Sequence, residues 1–309
     1  MLYRKKALLA KIESTYGVDA NPTGAANAIL TKGLSIQTLQ GATVNRDIDR
    51  EMLGNDITYH TGIFTKLSFD VEISGSGAAG TAPGYGPLLR ACGFSETIDL
   101  TMGLEKVIYD PVSSGFESAT LYYNLDGELH KLLGARGTVK LGLNKEQIPV
   151  LSFEFTGLRV AAAASALPAG DVSGFTKPIA VNKANSTFTL HGYAAVLESL
   201  SLDIANDVVY RNLVNSESVL ISDRAPSGNC TIDKPTLAAK DYEAIMAAHT
   251  TGALQFVHGA TSGNIVEIDA PAVQLLQPNI GESNGIATLG MNLSLIPNAG
   301  DDELKITVK

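Results

Sequence analysis

Tryptophan is absent from this 309-residue chain, and cysteine is nearly so. The two cysteines, Cys92 and Cys230, fall in different halves and on different kinds of element. Both are expected as small buried thiols in a reducing compartment, not as a disulfide. The five histidines, His60, His130, His191, His249 and His258, share no metal-ligand spacing and have no cysteine pair beside them. No metal centre is expected. Positive charge is also scarce: 23 Lys and Arg against 32 Asp and Glu leave a net charge of −9. Tight binding to nucleic acid or to an anionic membrane needs the opposite balance. No apolar run approaches the roughly 18 residues that span a bilayer. The basic start Met1-Leu2-Tyr3-Arg4-Lys5-Lys6 is followed only by Ala7-Leu8-Leu9-Ala10 before Lys11 and Glu13 interrupt. A secretory signal is therefore not expected.

What the chain does have is glycine, proline and alternation. Thirty glycines and twelve prolines, in a chain 45% hydrophobic and 18% charged, fit a loop-rich β protein. The length allows two domains, each with its own core. The clearest strand places Leu67, Phe69, Val71 and Ile73 on one face and Ser68, Asp70, Glu72 and Ser74 on the other. A second spans 120–124 and closes on the turn Leu125-Asp126-Gly127. In a third, Leu151, Phe153 and Phe155 alternate with Ser152, Glu154 and Thr156.

The order of these elements recurs. Leu34 and Ile36 alternate with polar neighbours as Leu200, Leu202 and Ile204 do. Short helical signals stand at 85–92 and 242–249. Residues 254–276 lie without gaps on 121–143, and Leu289, Met291 and Leu293 match Leu151, Phe153 and Phe155. The expected fold is mainly β, with two tandem sandwich or barrel domains at 34–160 and 191–298, each with a short flanking helix. Residues 1–33 read as an arm, 161–190 as a linker and 299–309 as a tail. In the arm, Leu8, Leu9 and Ile12 suit a short amphipathic turn, followed by turn chemistry from Tyr16. The arm either docks on a neighbouring molecule or packs on its own domain. Two long polar stretches, 40–65 with Arg46, Asp49, Arg50 and Glu51, and 206–228, interrupt the domains.

Motifs for chemistry are weak. Gly75-Ser76-Gly77-Ala78-Ala79-Gly80 has dinucleotide-fingerprint spacing, but Thr81-Ala82-Pro83-Gly84 separates it from any helix. The strand before it alternates, unlike a buried parallel strand. No serine lies in a nucleophile elbow, no acid–base pair stands out, and neither catalytic residue nor cofactor is expected. The carboxylates Asp70, Glu72, Glu154 and Asp203 point away from the apolar faces of their strands. They either serve solubility or line a channel whose wall repels a polyanion.

The phrase from Leu8 to Thr23 (LLAKIESTYGVDANPT), with the strand-and-glycine segment from Leu67 to Gly86 and the following PLLRACGF, resembles the major tail (tail tube) proteins of long non-contractile-tailed bacteriophages, most of all those infecting Pseudomonas-type hosts. The resemblance covers most of the first half, and the second half by pattern. It implies a virion structural protein of the phage tail, assembled in the host cytoplasm. Six units would form a ring, here from three two-unit chains, and stacked rings would form a tube. Its partners would be other copies of itself, the tape-measure protein and genomic DNA in the lumen without tight binding, tail-terminator and distal tail proteins, and no membrane. Leu8, Leu9, Ile12, Tyr16, Arg46, Asp49, Arg50 and Glu51 become candidates for contact between subunits or rings. Asp70, Glu72, Glu154 and Asp203 become candidates for the lumen. Tailocin and bacterial secretion tubes share the implied fold and stand as the alternative; a nucleotide-binding enzyme is a further one.

Overall fold

Alternation of apolar and polar residues governs the computed structural model, which describes residues 2–309 and is mainly β. The first half begins with β1 (Lys6–Ile12), the one-turn helix α1 (Gly24–Asn27), β2 (Ala28–Ile29) and β3 (Lys32–Gln40). A small hairpin, β4 (Thr43–Asn45) and β5 (Thr58–His60), precedes β6 (Phe64–Glu72) and α2 (Gly86–Ala91). Then come β7 (Thr97–Asp99), β8 (Lys106–Tyr109), β9 (Ala119–Leu125), β10 (Glu128–Asn144), β11 (Val150–Arg159) and β12 (Ala163–Ala164). The second half contains β13 (Ser186–Leu190), β14 (Leu197–Asp203), β15 (Asn206–Leu213), β16 (Ser216–Arg224) and β17 (Ser227–Asp233). It ends with α3 (Tyr242–Ala247), β18 (Thr251–His258), β19 (Val266–Ser283), β20 (Ile286–Leu295) and β21 (Lys305–Val308).

Both longer helices sit where the sequence placed them, and local chemistry limits each to six residues. Pro87 opens α2, and Gly93 beyond its end takes φ +82°. The Asp241 side chain caps α3 by accepting from Ala244 N at 2.9 Å.

The central feature is one antiparallel sheet of eight strands in the order β3–β6–β11–β10–β14–β17–β20–β19. The first four come from the first half and the last four from the second. The junction is β10 with β14, where Leu141 pairs with Leu202 and Lys140 with Asp203. Because alternation has period two, each register row lies on a single face. The row Val71–Leu151–Leu141–Leu202–Gly228–Leu293–Leu275 runs along the apolar face, and its leucines and valine are buried.

Two long strands carry this sheet into outer layers. The first part of β10 pairs with β9, and β9 with β1; the first part of β19 pairs with β18, and β18 with β13. On the other side of β10 lies β12, and on the other side of β19 lies β21, which reaches across to β8. Every main element thus has a counterpart: β1 with β13, β3 with β14, β4–β5 with β15–β16, β6 with β17, α2 with α3, β9 with β18, β10 with β19, β11 with β20 and β12 with β21. The pair β7–β8 is extra to the first half.

The structure redraws the expected boundaries. Residues 1–33 are not an arm. β1 pairs with β9 from Lys6↔Leu125 to Ile12↔Ala119, and Leu8 and Leu9 are buried in the chain's own core. Leu8 and Leu9 adjoin in a strand that is covered on both faces, so their run of apolar residues imitates a helical turn. The 161–190 segment contains β12 and all of β13, and 299–309 contains the buried strand β21. Nor do the halves have separate cores: one apolar cluster runs through both, because the β10–β14 junction makes their sheets continuous. The ungapped match of 254–276 to 121–143 holds for β18 on β9 but fails in β19. Leu121 pairs with Leu132, whereas Leu254 pairs with Ala270, because the loop 259–265 is longer than the turn Asp126-Gly127.

Candidate functional site

The eight-strand sheet ends in two strands with backbone left over. Among the described residues, β3 pairs only with β6, and the last part of β19, from Asn279 to Ser283, pairs only with β20. Open edges of this kind are templates for another chain unless they are blocked. Pro278 stands just before the open stretch of β19, at its register shift; the stretch itself and β3 contain no proline, and the edge residue Ile280 is 60% exposed.

The internal junction shows what such an edge accepts. In the first half, register joins Ile36–Leu67–Phe155–Gly137 and, four residues further, Val71–Leu151–Leu141. In the second, it joins Leu202–Gly228–Leu293–Leu275 and Ile232–Leu289–Ile280. Leu141 therefore corresponds to Ile280, and Leu202 to Ile36. The buried pair Leu141↔Leu202 within the chain corresponds to Ile280 on one open edge and Ile36 on the other.

The opposite face of the sheet is polar. One row runs Lys32–Asp70–Ser152–Lys140–Asp203–Ser227–Ser294–Gln274 across all eight strands. Asp70, Glu72, Glu154 and Asp203 lie together on this face. Ser152 donates to Asp70 at 2.6 Å. Lysines the sequence reading left out share the face: Lys66 pairs with Glu154 at 2.6 Å, Lys140 stands opposite Asp203, and Lys32 opposite Asp70. The face is mixed in charge, not a uniformly acidic wall. The signal was available, since Lys66 and Lys140 follow the same alternation as the acids.

The two hairpins that rise from this sheet behave differently. β15–β16 leaves the second half but packs on β10 and β11 of the first. Val219 is fully buried, Arg136 Nη1 donates to its carbonyl at 2.8 Å, and the Tyr210 ring lies tilted against Phe64 with centroids 4.8 Å apart. The stretch 206–228 thus packs on the first half of its own chain. β4–β5 touches nothing comparable, and residues along 41–61 are almost all exposed. Arg46, Asp49, Arg50 and Glu51 lie in the exposed connection of this hairpin, where Arg50 pairs with Asp56.

Tyr16 and its neighbours fix the internal hairpin. Tyr16 Oη accepts from Val219 N at 2.6 Å, and its ring lies 5.0 Å from the Arg136 guanidinium. Burial moves the Tyr16 hydroxyl above its usual pKa and the Arg136 guanidinium below its own. Gly134, at φ +57°, is required here, because a Cβ would stand 2.7 Å from the Tyr16 ring. Ile12 is only partly buried but packs against the core of its own chain. Sequence reasoning missed Glu13, which is 8% exposed. Its carboxylate accepts from Ser118 Oγ (2.7 Å), Thr120 Oγ1 (2.9 Å), Gly17 N (2.8 Å) and Gly134 N (2.7 Å). A single acid gave no hint of four donors, three of them more than a hundred residues away in sequence.

Gly75 to Gly80 does not cradle an anion. Gly75 N donates to Asn264 Oδ1 at 2.7 Å and Gly77 N to Gly263 O at 2.9 Å, so the loop is bonded to the second half. Cys92 and Cys230 are buried and unpaired, and burial raises both thiols, Cys230 to about 12. Among the described residues no helix is long and apolar enough to cross a membrane. No curated protein matches the chain. The family described as phage tail tube protein matches residues 4–299, and the chain belongs to that family, whose members are structural proteins of the phage tail.

Proposed function

We propose that three copies of this chain close edge to edge into a ring and that the rings stack into the tail tube of a long non-contractile-tailed phage. The carrying observation is the pair of open, complementary edges on a sheet that already contains one such joint. The β19 edge of one chain meets β3 of the next, repeating β10–β14, with Ile280 opposite Ile36 and Gly281 opposite Ser35. Such a contact is heterologous and closes under rotation, which leaves no edge exposed. The ring is pseudo-hexameric because its joints alternate between those within chains and those between them.

Strand spacing favours three chains. At about 4.8 Å between strands, three eight-strand sheets give a backbone circle roughly 37 Å across, and two give about 24 Å. Strand tilt widens both figures somewhat. Side chains from opposite walls narrow the smaller circle too far for a double helix, while the larger admits one. The polar face would line the lumen, with Asp70, Glu72, Glu154 and Asp203 interleaved with Lys32, Lys66 and Lys140. A wall of mixed charge without excess cations lets DNA and a tape-measure protein pass without being held. Terminator and distal tail proteins would meet the ends of the stack.

Native mass spectrometry with electron microscopy tests the ring. The expected result is a species of three 32.4 kDa chains with a central hole. A closed ring of any other chain number, or an open series of oligomers, overturns it.

A further inference from the structure

The two hairpins occupy corresponding places in the repeat, yet only one of them is seated. β15–β16 rises between β14 and β17 and covers the half of the sheet that lies across the joint, on β10 and β11. β4–β5 rises between β3 and β6, and across β3 there is nothing in the chain for it to cover. Its residues match those of the seated hairpin. Val44↔Tyr59 is the cross-strand pair that corresponds to Tyr210↔Val219. Val219 is 0% exposed, whereas Tyr59 is 46% and Val44 50% exposed, with Ile57 beside them at 68%. An apolar hairpin face left in water is a contact surface without its partner.

The corresponding seat exists, and it is empty within the chain. A groove of about 1110 Å³ lies at the end of the β17–β20–β19 sheet, lined by Ala225, Ser227, Leu276, Asn292, Ser294 and Pro297 among others. These positions correspond to those under the seated hairpin. Ser294 follows Leu293 as Thr156 follows Phe155, and Leu276 follows Leu275 as Thr138 follows Gly137. Thr156 is buried and Thr138 half-buried, while their counterparts Ser294 and Leu276 are half-buried and exposed. The root of the hairpin repeats as well. Asn206 Nδ2 donates to Gly137 O at 2.9 Å, and the counterpart of Asn206 on β3 is Gln40, again a side-chain amide.

We propose that the β4–β5 hairpin of one chain seats in this groove of its neighbour in the same ring, covering β19 and β20 there as β15–β16 covers β11 and β10 within a chain. This rests on the edge-to-edge ring. It adds a second contact at each joint between chains, formed by different residues from the strand pairing. The occupant is therefore a second copy of this chain, contributing Val44, Ile57 and Tyr59.

Site-specific cross-linking tests the seat. The contact of Tyr210 with Phe64 corresponds to Val44 of one chain with Ala225 of the next. Two large rings meet in the internal copy, so the backbones stand further apart than a disulfide spans, and a short bismaleimide is the suitable reagent. Val44→Cys and Ala225→Cys both fall at exposed sites, and the native thiols are buried. The double variant, assembled into rings and treated before stacking, should give covalent three-chain species on a denaturing gel. Mixed single variants should give linked pairs containing one of each. Rings of three chains that do not cross-link overturn the seat and leave the ring standing. Cross-linking that appears only once rings stack also overturns it, because the hairpin then belongs to the next ring. Absence of three-chain rings from the unmodified protein overturns both.

Discussion

Replacing Ile280 with aspartate should disassemble the ring and leave the chain folded. Ile280 is 60% exposed in the single chain, and its edge carries no other strand. Burying a whole isoleucine side chain is worth about 1.5–3 kcal/mol, so covering the exposed part contributes about 1–2 kcal/mol at each joint. Aspartate loses this and places a carboxylate beside Leu289 and the neighbour's Ile36 with no partner, which costs at least as much again. The joint should weaken by about 2–4 kcal/mol, or roughly 30- to 1000-fold, and a ring carries the loss at every joint between chains. Ile280→Val removes only about one methylene and should cost about 0.8 kcal/mol. The assay is sedimentation velocity across a protein concentration series, with circular dichroism to confirm that the chain is folded. Leu237→Asp is the control, since Leu237 is 67% exposed but belongs to neither open edge strand. Assembly of Ile280→Asp at the concentration where the unmodified chain assembles would refute the β19–β3 joint. Equal damage from Leu237→Asp would refute its specificity.

Glu13→Ala should lower folding stability by about 2–6 kcal/mol, because the two buried amides of Gly17 and Gly134 lose their acceptor; urea unfolding measures it, and an unchanged midpoint contradicts the role. Deleting residues 2–12 should give an aggregating or unfolded chain, not a folded monomer without tubes, since β1 covers β9 and supplies Leu8 and Leu9 to the core. Burial holds His191 and His258 below their ordinary pKa of 6.5. As pH falls through that value the unfolded chain takes up protons first, so stability should decline below about pH 6.5; the slope of melting temperature against pH should flatten in His191→Gln/His258→Gln, and an unaltered slope contradicts the assignment. Asp70→Lys with Glu72→Lys should leave ring assembly intact and slow DNA ejection through charge retention in the lumen; ejection at the normal rate would remove these residues from the lumen wall.

Much of the site was legible because strands write their faces into the sequence. Leu67, Phe69 and Val71 against Ser68, Asp70 and Glu72 fixed both the apolar and the polar side of β6, and the other strands of the sheet read the same way. The repeat was legible from Leu34 and Ile36 beside Leu200 and Leu202. Its ends were not. β1 is covered on both faces and lacks alternation, β13 alternates over five residues only, and β12 and β21 are too short to carry a pattern. Glu13, Tyr16 and Gly134 depend on contacts between segments far apart in the chain, which no local pattern encodes.

The sequence by itself determined the β class, the two short helices, the duplication and the partition of each strand into a wet and a dry face, because these follow from side-chain period and from capping and turn residues. The tertiary structure alone decided which edges stay open. Pairing is a relation between distant strands, so only the folded chain reveals that β10 satisfies β14 internally while, among the described residues, β3 and the end of β19 have no second strand beside them. The same holds for the hairpins, of similar place and pattern, one seated within the chain and one left with its apolar face in water.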